Sequence, residues 1–179
     1  RMDARGLLWA GQPGYALTWM DAMVGGEGIT PRIGYPVEIN ALWYNGVRFM
    51  LEMAQSRGDT KFTKRWGDLP GRIEGAFQEV FYNPQKGYLA DYVDGQGQHM
   101  EVRPNQIIAL AVPYSPLTPE QMEGVLGVVR RELYLPIGLR TLSPKNPLYR
   151  GHYSGDQATR DAAYHQGTVW PWLLGPYVA

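Results

Sequence analysis

The sequence predicts an all-α fold, built from an inner and an outer layer of helices, with one short β-hairpin in a loop. Helical segments that are apolar on every side alternate along the chain with helical segments that are apolar on one face only. Connections are short after the first kind and long after the second, a pattern that favours an inner ring and an outer ring of helices. The long loops then gather at one end, where functional residues are commonly carried.

The first inner helix is predicted over residues 36–57. Pro36 suits the first turn, where the N–H that proline lacks has no helical partner, and Gly58 suits the end. Apolar residues fall on all sides of this segment, so we expect burial all round. The outer helix that follows, over 60–81, has a single apolar stripe, and Pro70 predicts a break within it.

Two elements with different periodicity come next. Residues 88–93 and 98–102 flank Asp94-Gly95-Gln96-Gly97, which is typical of a β-hairpin. Residues 107–112, which follow Pro104, are apolar throughout and predict a second inner helix.

The remaining chain predicts one more outer and one more inner helix. Thr118-Pro119-Glu120-Gln121 forms a capping box, so the outer helix spans 118–133. Residues 134–167 predict a long irregular segment, and a final inner helix is expected to begin near Trp170.

Composition bounds the class of protein. A chain of 179 residues predicts a single domain over 1–179. The 17 basic and 17 acidic residues balance and form no basic run, which excludes a nucleic-acid binder driven by net charge. The absence of cysteine excludes disulfides and thiolate metal sites, and the three histidines lack metal-ligand spacing, so we expect no metal and no cofactor. No apolar run approaches the length of a membrane span, so no membrane partner is expected.

Asp21 is the first candidate for chemistry. It lies two residues after Trp19, and apolar surroundings raise the pKa of a carboxyl group toward that of a general acid. The alternative is an aspartate that caps the turn before Gly25-Gly26.

The inner-helix starts carry further polar residues. Glu38 either grips substrate hydroxyls at the mouth of the fold or satisfies free N–H groups in the first helical turn. Asn105 and Gln106, after Arg103, either contact substrate or cap the second inner helix. Their common position at one end favours a shared site.

The stretch 156–172 is the densest in polar and aromatic residues and contains His165 and Trp170. Arg140 precedes it in sequence. Its alternative role is a structural ion pair with Asp156 or Asp161.

Three separated motifs resemble a known family. They are Thr18-Trp-Met-Asp-Ala22, Thr30-Pro-Arg-Ile-Gly-Tyr-Pro-Val-Glu-Ile-Asn-Ala-Leu-Trp-Tyr-Asn45 and His165-Gln-Gly-Thr-Val-Trp-Pro-Trp172, with Arg103-Pro-Asn-Gln106 between them. In this order they closely resemble the C-terminal amylo-α-1,6-glucosidase domain of bacterial and archaeal glycogen debranching enzymes, over essentially the whole chain.

This resemblance implies an (α/α)6 barrel, of which the chain would form about half. It implies hydrolysis of α-1,6-linked glucose stubs with inversion and an α-glucan partner: glycogen, limit dextrin or maltooligosaccharides. Because storage glycogen is intracellular, it also implies a cytoplasmic location. By its motif Asp21 would be the general acid, and a glucose pocket would be lined by Trp19, Arg32, Glu38, Asn105, Gln106, Arg140, His165 and Trp170.

An inverting glycosidase also needs a second carboxylate, roughly 6.5–9.5 Å from the acid, to activate water. The family carries it in a Ser-Glu-x-Phe-Asp-Gly-like segment, which this sequence lacks, so the in-chain base candidates are Glu38 and Asp161. We therefore expect an internal fragment that is inactive alone. The alternatives are an inactive carbohydrate-binding remnant or a structural module completed by another chain. A second copy would then cover exposed inner-helix residues such as Leu42, Phe49 and Ile107.

Overall fold

Seven α-helices provide the frame of the molecule, and the computed structural model describes all of residues 1–179. Two short 3₁₀ turns, Pro104–Ile107 and Pro171–Leu173, lead directly into α4 and α7. The helices are α1 (Val37–Ser56), α2 (Thr60–Trp66), α3 (Leu69–Phe81), α4 (Ile108–Ala111), α5 (Pro119–Glu132), α6 (Gln157–Tyr164) and α7 (Leu174–Val178).

Ten short strands occupy the connections and form four small antiparallel sheets, ordered β1-β2, β3-β6-β7, β4-β5 and β8-β9-β10. The strands are β1 (Met23–Val24), β2 (Glu27–Gly28), β3 (Tyr35–Pro36), β4 (Tyr82–Asn83), β5 (Tyr88–Leu89), β6 (Tyr92–Asp94), β7 (Gly97–His99), β8 (Tyr134–Leu135), β9 (Gly138–Arg140) and β10 (Val169–Trp170).

These sheets overturn the expectation of an all-α half-barrel with a single hairpin. Helices dominate, but the fold is mixed α and β. The reason is that buried backbone N–H and C=O groups of long loops must find partners, and here they find them on other loops. The β3–β6 and β9–β10 pairs join segments that lie far apart in the sequence, which local patterns do not reveal.

The predicted helix boundaries are confirmed closely. α1 begins at Val37, immediately after Pro36, and ends at Ser56. The expected break near Pro70 falls between α2 and α3. The capping box at the start of α5 is present in both directions, from Thr118 to Gln121 and back. α6 lies inside the segment predicted to be irregular.

The expectation that α1 is buried on every side is wrong. Leu42, Phe49 and Met50 are 49%, 53% and 48% exposed. Ile107, expected on the same exposed surface, is only 1% exposed because it lies inside the core. A helix with apolar residues on all sides can be buried on all sides only where other elements pack against each side, and one side of α1 has no such neighbour.

The helices pack as a row with a second layer behind it. α1 contacts α4, and α4 contacts α7, whereas α3 packs against α1 and α5 packs against the turn that opens α4. A cluster of 22 buried apolar residues runs through this assembly, with Tyr44, Phe77 and Phe81 among its largest side chains. None of the helices combines the length and the apolar character needed to cross a membrane.

Strand pairing fixes the loops at the start of α1. Pro36 of β3 pairs with Tyr92 of β6, and the Val37 N–H donates to the Asp91 carbonyl at 3.1 Å. At the other side, Arg140 of β9 pairs with Val169 of β10. These pairings bring four separate segments to one end of the helix row.

Candidate active site

The floor of the site is a buried ion-pair network centred on Arg32. Its Nη1 and Nη2 donate to the two carboxylate oxygens of Glu38, at 2.5 and 2.6 Å, and its Nε donates to Asp91 Oδ2 at 2.7 Å. Arg32 also adopts a positive φ of 41°, which is uncommon for a residue other than glycine. The surrounding structure therefore holds the Arg32 backbone in an unfavourable conformation, and in that conformation the guanidinium contacts both carboxylates.

A second buried arginine ties the floor to the C-terminal motif. Arg103 Nη1 donates to the carbonyl oxygens of Thr141 and His165, at 3.1 and 2.7 Å, and Nη2 donates to Gln166 Oε1 at 2.8 Å. Its Nε lies 3.8 Å from Asp91 Oδ2. The network thus joins the loop before α1, the start of α4 and the segment after α6.

The two arginines differ in electrostatics. Burial alone would lower the pKa of Arg32, but the carboxylates of Asp91 and Glu38 outweigh burial and hold the pKa above its ordinary value. Burial lowers the pKa of Arg103, which has only a longer contact to Asp91. Glu38, with both oxygens paired to Arg32, is fully engaged in holding the floor together.

Asn105 and Trp19 form the next layer. Asn105 Nδ2 donates to Asp91 Oδ1 at 2.7 Å, and Asn105 Oδ1 accepts from the indole Nε1 of Trp19 at 2.6 Å. The indole ring contacts His165 and Trp172 edge-on, with ring centroids 5.1 and 5.0 Å apart. Three aromatic rings therefore stand together directly above the charged floor.

Asp21 lies at the surface of this layer. Its side chain is 67% exposed, and its Oδ1 is 3.6 Å from Nε2 of the buried His165. Neither ring nitrogen of His165 has a hydrogen-bond partner within the chain. A solvent-facing carboxylate beside an imidazole without a partner leaves polar groups that a ligand could pair with.

Burial keeps His165 neutral. Removal from solvent lowers the pKa of His165 to about 4, against the opposing effect of the Asp21 carboxylate. At neutral pH one ring nitrogen therefore donates and the other accepts, so the ring can offer hydrogen bonds of either direction.

The other residues from the sequence-based hypothesis occupy different surroundings. Gln106 is buried, donates to the Arg103 carbonyl and accepts from the Leu89 N–H. Trp170 is half-buried and donates from its indole to the Tyr164 carbonyl at 3.2 Å. Asp161 accepts from Gln157 one turn earlier in α6.

The ion pair considered for Arg140 is absent, because its guanidinium has no carboxylate within 4 Å. Its backbone nevertheless pairs with Val169, at the edge of the same end of the fold.

Sequence reasoning missed three members of this cluster: Asp91, Arg103 as a structural link, and Trp172. Asp91 stood unnoticed because a single aspartate between two short strands has no recognisable spacing. Trp172 lies in the quoted Trp-Pro-Trp motif, and that motif was the signal available in the sequence. The chain contains no grouping of three or more His, Cys, Asp or Glu side chains that could hold a metal ion.

Comparison with known proteins agrees with the quoted motifs. The amylo-alpha-1,6-glucosidase family matches residues 1–179. The chain is also 29% identical, over 218 aligned positions, to the glycogen debranching enzyme of Saccharomyces cerevisiae. That alignment includes 97% of this chain and 14% of the yeast protein, so the chain spans about one seventh of the relative's length. Because the family match extends over every residue, the chain belongs to the amylo-alpha-1,6-glucosidase family.

Proposed function

We propose that these residues carry the acid side of a glycosidase site that hydrolyses α-1,6-linked glucose stubs of an α-glucan. The observation that carries the proposal is the placement of Asp21, a solvent-facing carboxylate beside His165, whose ring contacts the Trp19 indole. A general acid must reach the leaving-group oxygen of a bound sugar, and Asp21 is accessible for that role.

Sugar contacts follow from the same arrangement. Trp19 and Trp172 offer aromatic rings to a sugar, and beside them the buried His165 has two ring nitrogens without a partner in the chain. Arg32, Glu38 and Asn105 are buried beneath them, so their part in this proposal is to shape the pocket floor. Gln106, Arg140 and Trp170 remain predicted pocket residues.

An inverting mechanism also needs a general base that activates water, and two carboxylates of this chain are candidates for it. Glu38 is unsuited to it, because both oxygens are buried and bound to Arg32. Asp161 has one oxygen held by Gln157 and is the remaining in-chain candidate. We place the base instead on a carboxylate outside residues 1–179 of a longer protein, so that hydrolysis with inversion needs the larger chain.

The larger context is part of the proposal. Glycogen, limit dextrin and maltooligosaccharides are the expected substrates, in the cytoplasm, and residues 1–179 form one portion of the catalytic domain. This portion alone would bind glucan without hydrolysing it.

One observation favours a second candidate function, a structural module completed by further chain. Leu42, Phe49 and Met50 leave an apolar strip of α1 uncovered. A second copy of the chain is one occupant for it, and sedimentation velocity at rising concentration tests this: a monomer throughout would remove that occupant.

The test of the glucosidase proposal is the substitution Asp21→Asn in the full-length protein, with glucose release from limit dextrin as the readout. Loss of a general acid lowers the rate by about 10² to 10⁴-fold. Asp156→Asn is the matched control, because asparagine caps a helix as well as aspartate and Asp156 caps α6. The anomer released first, followed by proton NMR, reports inversion. Near-normal release by Asp21→Asn would overturn the assignment.

A further inference from the structure

Asp91 lies where the loop before α1, the β6–β7 hairpin and the turn that opens α4 meet. Its backbone N–H donates to the His99 carbonyl at 2.8 Å, and its own carbonyl accepts from the Val37 N–H at 3.1 Å and from Arg32 Nη2 at 2.9 Å. The side chain is 1% exposed. Asp91 is therefore fixed at both its backbone and its side chain before any substrate arrives.

The two carboxylate oxygens of Asp91 have separate partners. Oδ2 accepts from Arg32 Nε, and Oδ1 accepts from Asn105 Nδ2, each at 2.7 Å. An ionised carboxylate only accepts hydrogen bonds, so it can face only the NH₂ end of the Asn105 amide. The second Nδ2 hydrogen of Asn105 is directed at the sulfur of Met20, at 3.5 Å. The carboxylate thus sets which way round the amide lies.

The orientation of that amide determines what Trp19 can bind. An indole N–H only donates, so Trp19 needs an acceptor, and Asn105 Oδ1 supplies it at 2.6 Å. With the amide reversed, two donors would face one another. Trp19 in turn abuts His165 and Trp172 and precedes Asp21 by two residues.

We infer that Asp91 is a positioning residue that acts through Asn105 to fix the Trp19 indole beside the acid-bearing loop. We call the hydrogen-bonded chain Trp19–Asn105–Asp91 the relay. Donation runs in one direction along it, from the indole N–H to the amide oxygen and from the amide N–H to the carboxylate. Asp91 is thus more than a counter-ion for Arg32, a role that Glu38 already fills with two contacts. The link to catalysis rests on the proposed function, whereas the link to Trp19 does not.

The acceptor that faces the Trp19 indole N–H can be removed by one substitution and restored by a second. In Asp91→Asn, the new amide can keep the Arg32 contact with its oxygen and donate to Asn105, which then turns its NH₂ toward Trp19. In Asn105→Asp, two carboxylates face each other. The double exchange Asp91→Asn with Asn105→Asp preserves the net charge and again places an acceptor opposite the Trp19 indole N–H. The hydrogen bond between positions 91 and 105 is reversed, because the new amide at 91 donates to the new carboxylate at 105.

The first readout is the indole ¹H–¹⁵N resonance of Trp19 in the full-length protein, assigned with Trp19→Phe. We expect Asp91→Asn to move this resonance and to speed its exchange with water, and the double exchange to restore slow exchange, because the indole N–H again has an acceptor. Glu38→Gln is the matched control, because it also removes a buried carboxylate bound to Arg32 but does not touch Asn105. It should leave the Trp19 resonance in place.

The second readout is kcat for glucose release. Asp91→Asn should lower kcat by about tenfold to 10²-fold, the scale of a small misplacement of catalytic groups. The double exchange should recover most of the loss. In a Trp19→Phe background, Asp91→Asn should have little further effect on kcat, because the relay has already been cut.

Each outcome decides the inference. A Trp19 resonance that stays unmoved in Asp91→Asn, or an exchange rate that stays raised in the double exchange, overturns it and leaves Asp91 as a counter-ion only. If Asp91→Asn fails to fold, slow indole N–H exchange in the folded double exchange supports the relay, and fast exchange overturns it. If the wild-type protein releases no glucose, the proposed function fails, while the resonance still decides the relay.

Discussion

The floor of the candidate site and the surface directly above it follow opposite rules. In the floor, Arg32, Glu38, Asp91 and Asn105 are buried, and their charged and amide groups are paired at 2.5 to 2.9 Å. Above it, Asp21 is 67% exposed and His165 has two unsatisfied ring nitrogens. Buried polar groups that lack partners destabilise a fold, so a protein keeps them where a ligand completes them.

The floor residues therefore serve mainly the stability of the fold, and the residues directly above them serve mainly ligand binding. The floor carries the cost of burying three charges and offsets it through their mutual contacts. In the surface layer Asp21 is exposed and His165 has no hydrogen-bond partner, so these groups can still pair with a ligand. Substitutions of the ion-paired floor residues should therefore mainly change the free energy of unfolding, and substitutions at the surface should mainly change ligand binding and catalysis. Asp91 belongs to the floor and affects catalysis only through Asn105 and Trp19.

The largest expected effect is on the floor. Glu38→Gln should lower the free energy of unfolding by about 3–5 kcal/mol, because it leaves the buried Arg32 charge with one carboxylate instead of two. Asp21→Asn should change it by less than about 0.5 kcal/mol, since Asp21 is exposed. Urea unfolding measures both.

Glu27→Gln is the matched control for Glu38→Gln, because Glu27 is exposed and forms no ion pair. Equal losses at positions 21 and 38 would contradict the division between the two layers.

The second expected effect belongs to His165, which is buried like the floor but unsatisfied like the surface. Its pKa is lowered from an ordinary 6.5 to about 4, so the unfolded chain binds the proton more readily than the folded one. Stability from this group is present above pH 6.5 and is lost as pH falls toward 4, by about 3 kcal/mol in total.

Removal of the imidazole should remove this pH dependence. The difference in unfolding free energy between wild type and His165→Gln, followed by urea titration from pH 7 to pH 4, isolates it from the carboxylates. The exposed His152→Gln variant is the control and should keep the wild-type slope. A wild-type slope in His165→Gln would show that other groups cause the acid sensitivity.

The sequence predicted the helices of this molecule far better than its loops. α1, α5 and the break before α3 follow from proline, glycine, capping residues and apolar spacing, all of which act within a few residues. The β3–β6 and β9–β10 pairs join residues dozens of positions apart, and two-residue strands carry no periodicity to detect.

The site was predicted in part, for the same physical reason. Motifs pointed to Asp21, Trp19, Arg32, Glu38, Asn105 and His165, and the fold brings these side chains into one connected cluster. Asp91 was missed because its importance lies in contacts across 59 and 14 residues of chain, to Arg32 and to Asn105. Which residue pairs with which is a property of the folded chain rather than of any local spacing.

The smallest expected effect concerns Trp172, the most open of the aromatic groups in the surface layer. Its indole is 49% exposed and contacts Trp19 edge-on, so one face is free for a sugar ring. Trp172→Ala should weaken maltooligosaccharide binding about tenfold, the typical loss for an anchoring aromatic, with little loss of stability. Calorimetric titration measures this.

Phe49→Ala is the control, because Phe49 is similarly exposed but lies roughly 17 Å along α1 from Glu38. If Trp172→Ala binds sugar as tightly as Phe49→Ala, the surface layer does not hold glucan, and a loss confined to Phe49→Ala would place it on the exposed strip of α1 instead.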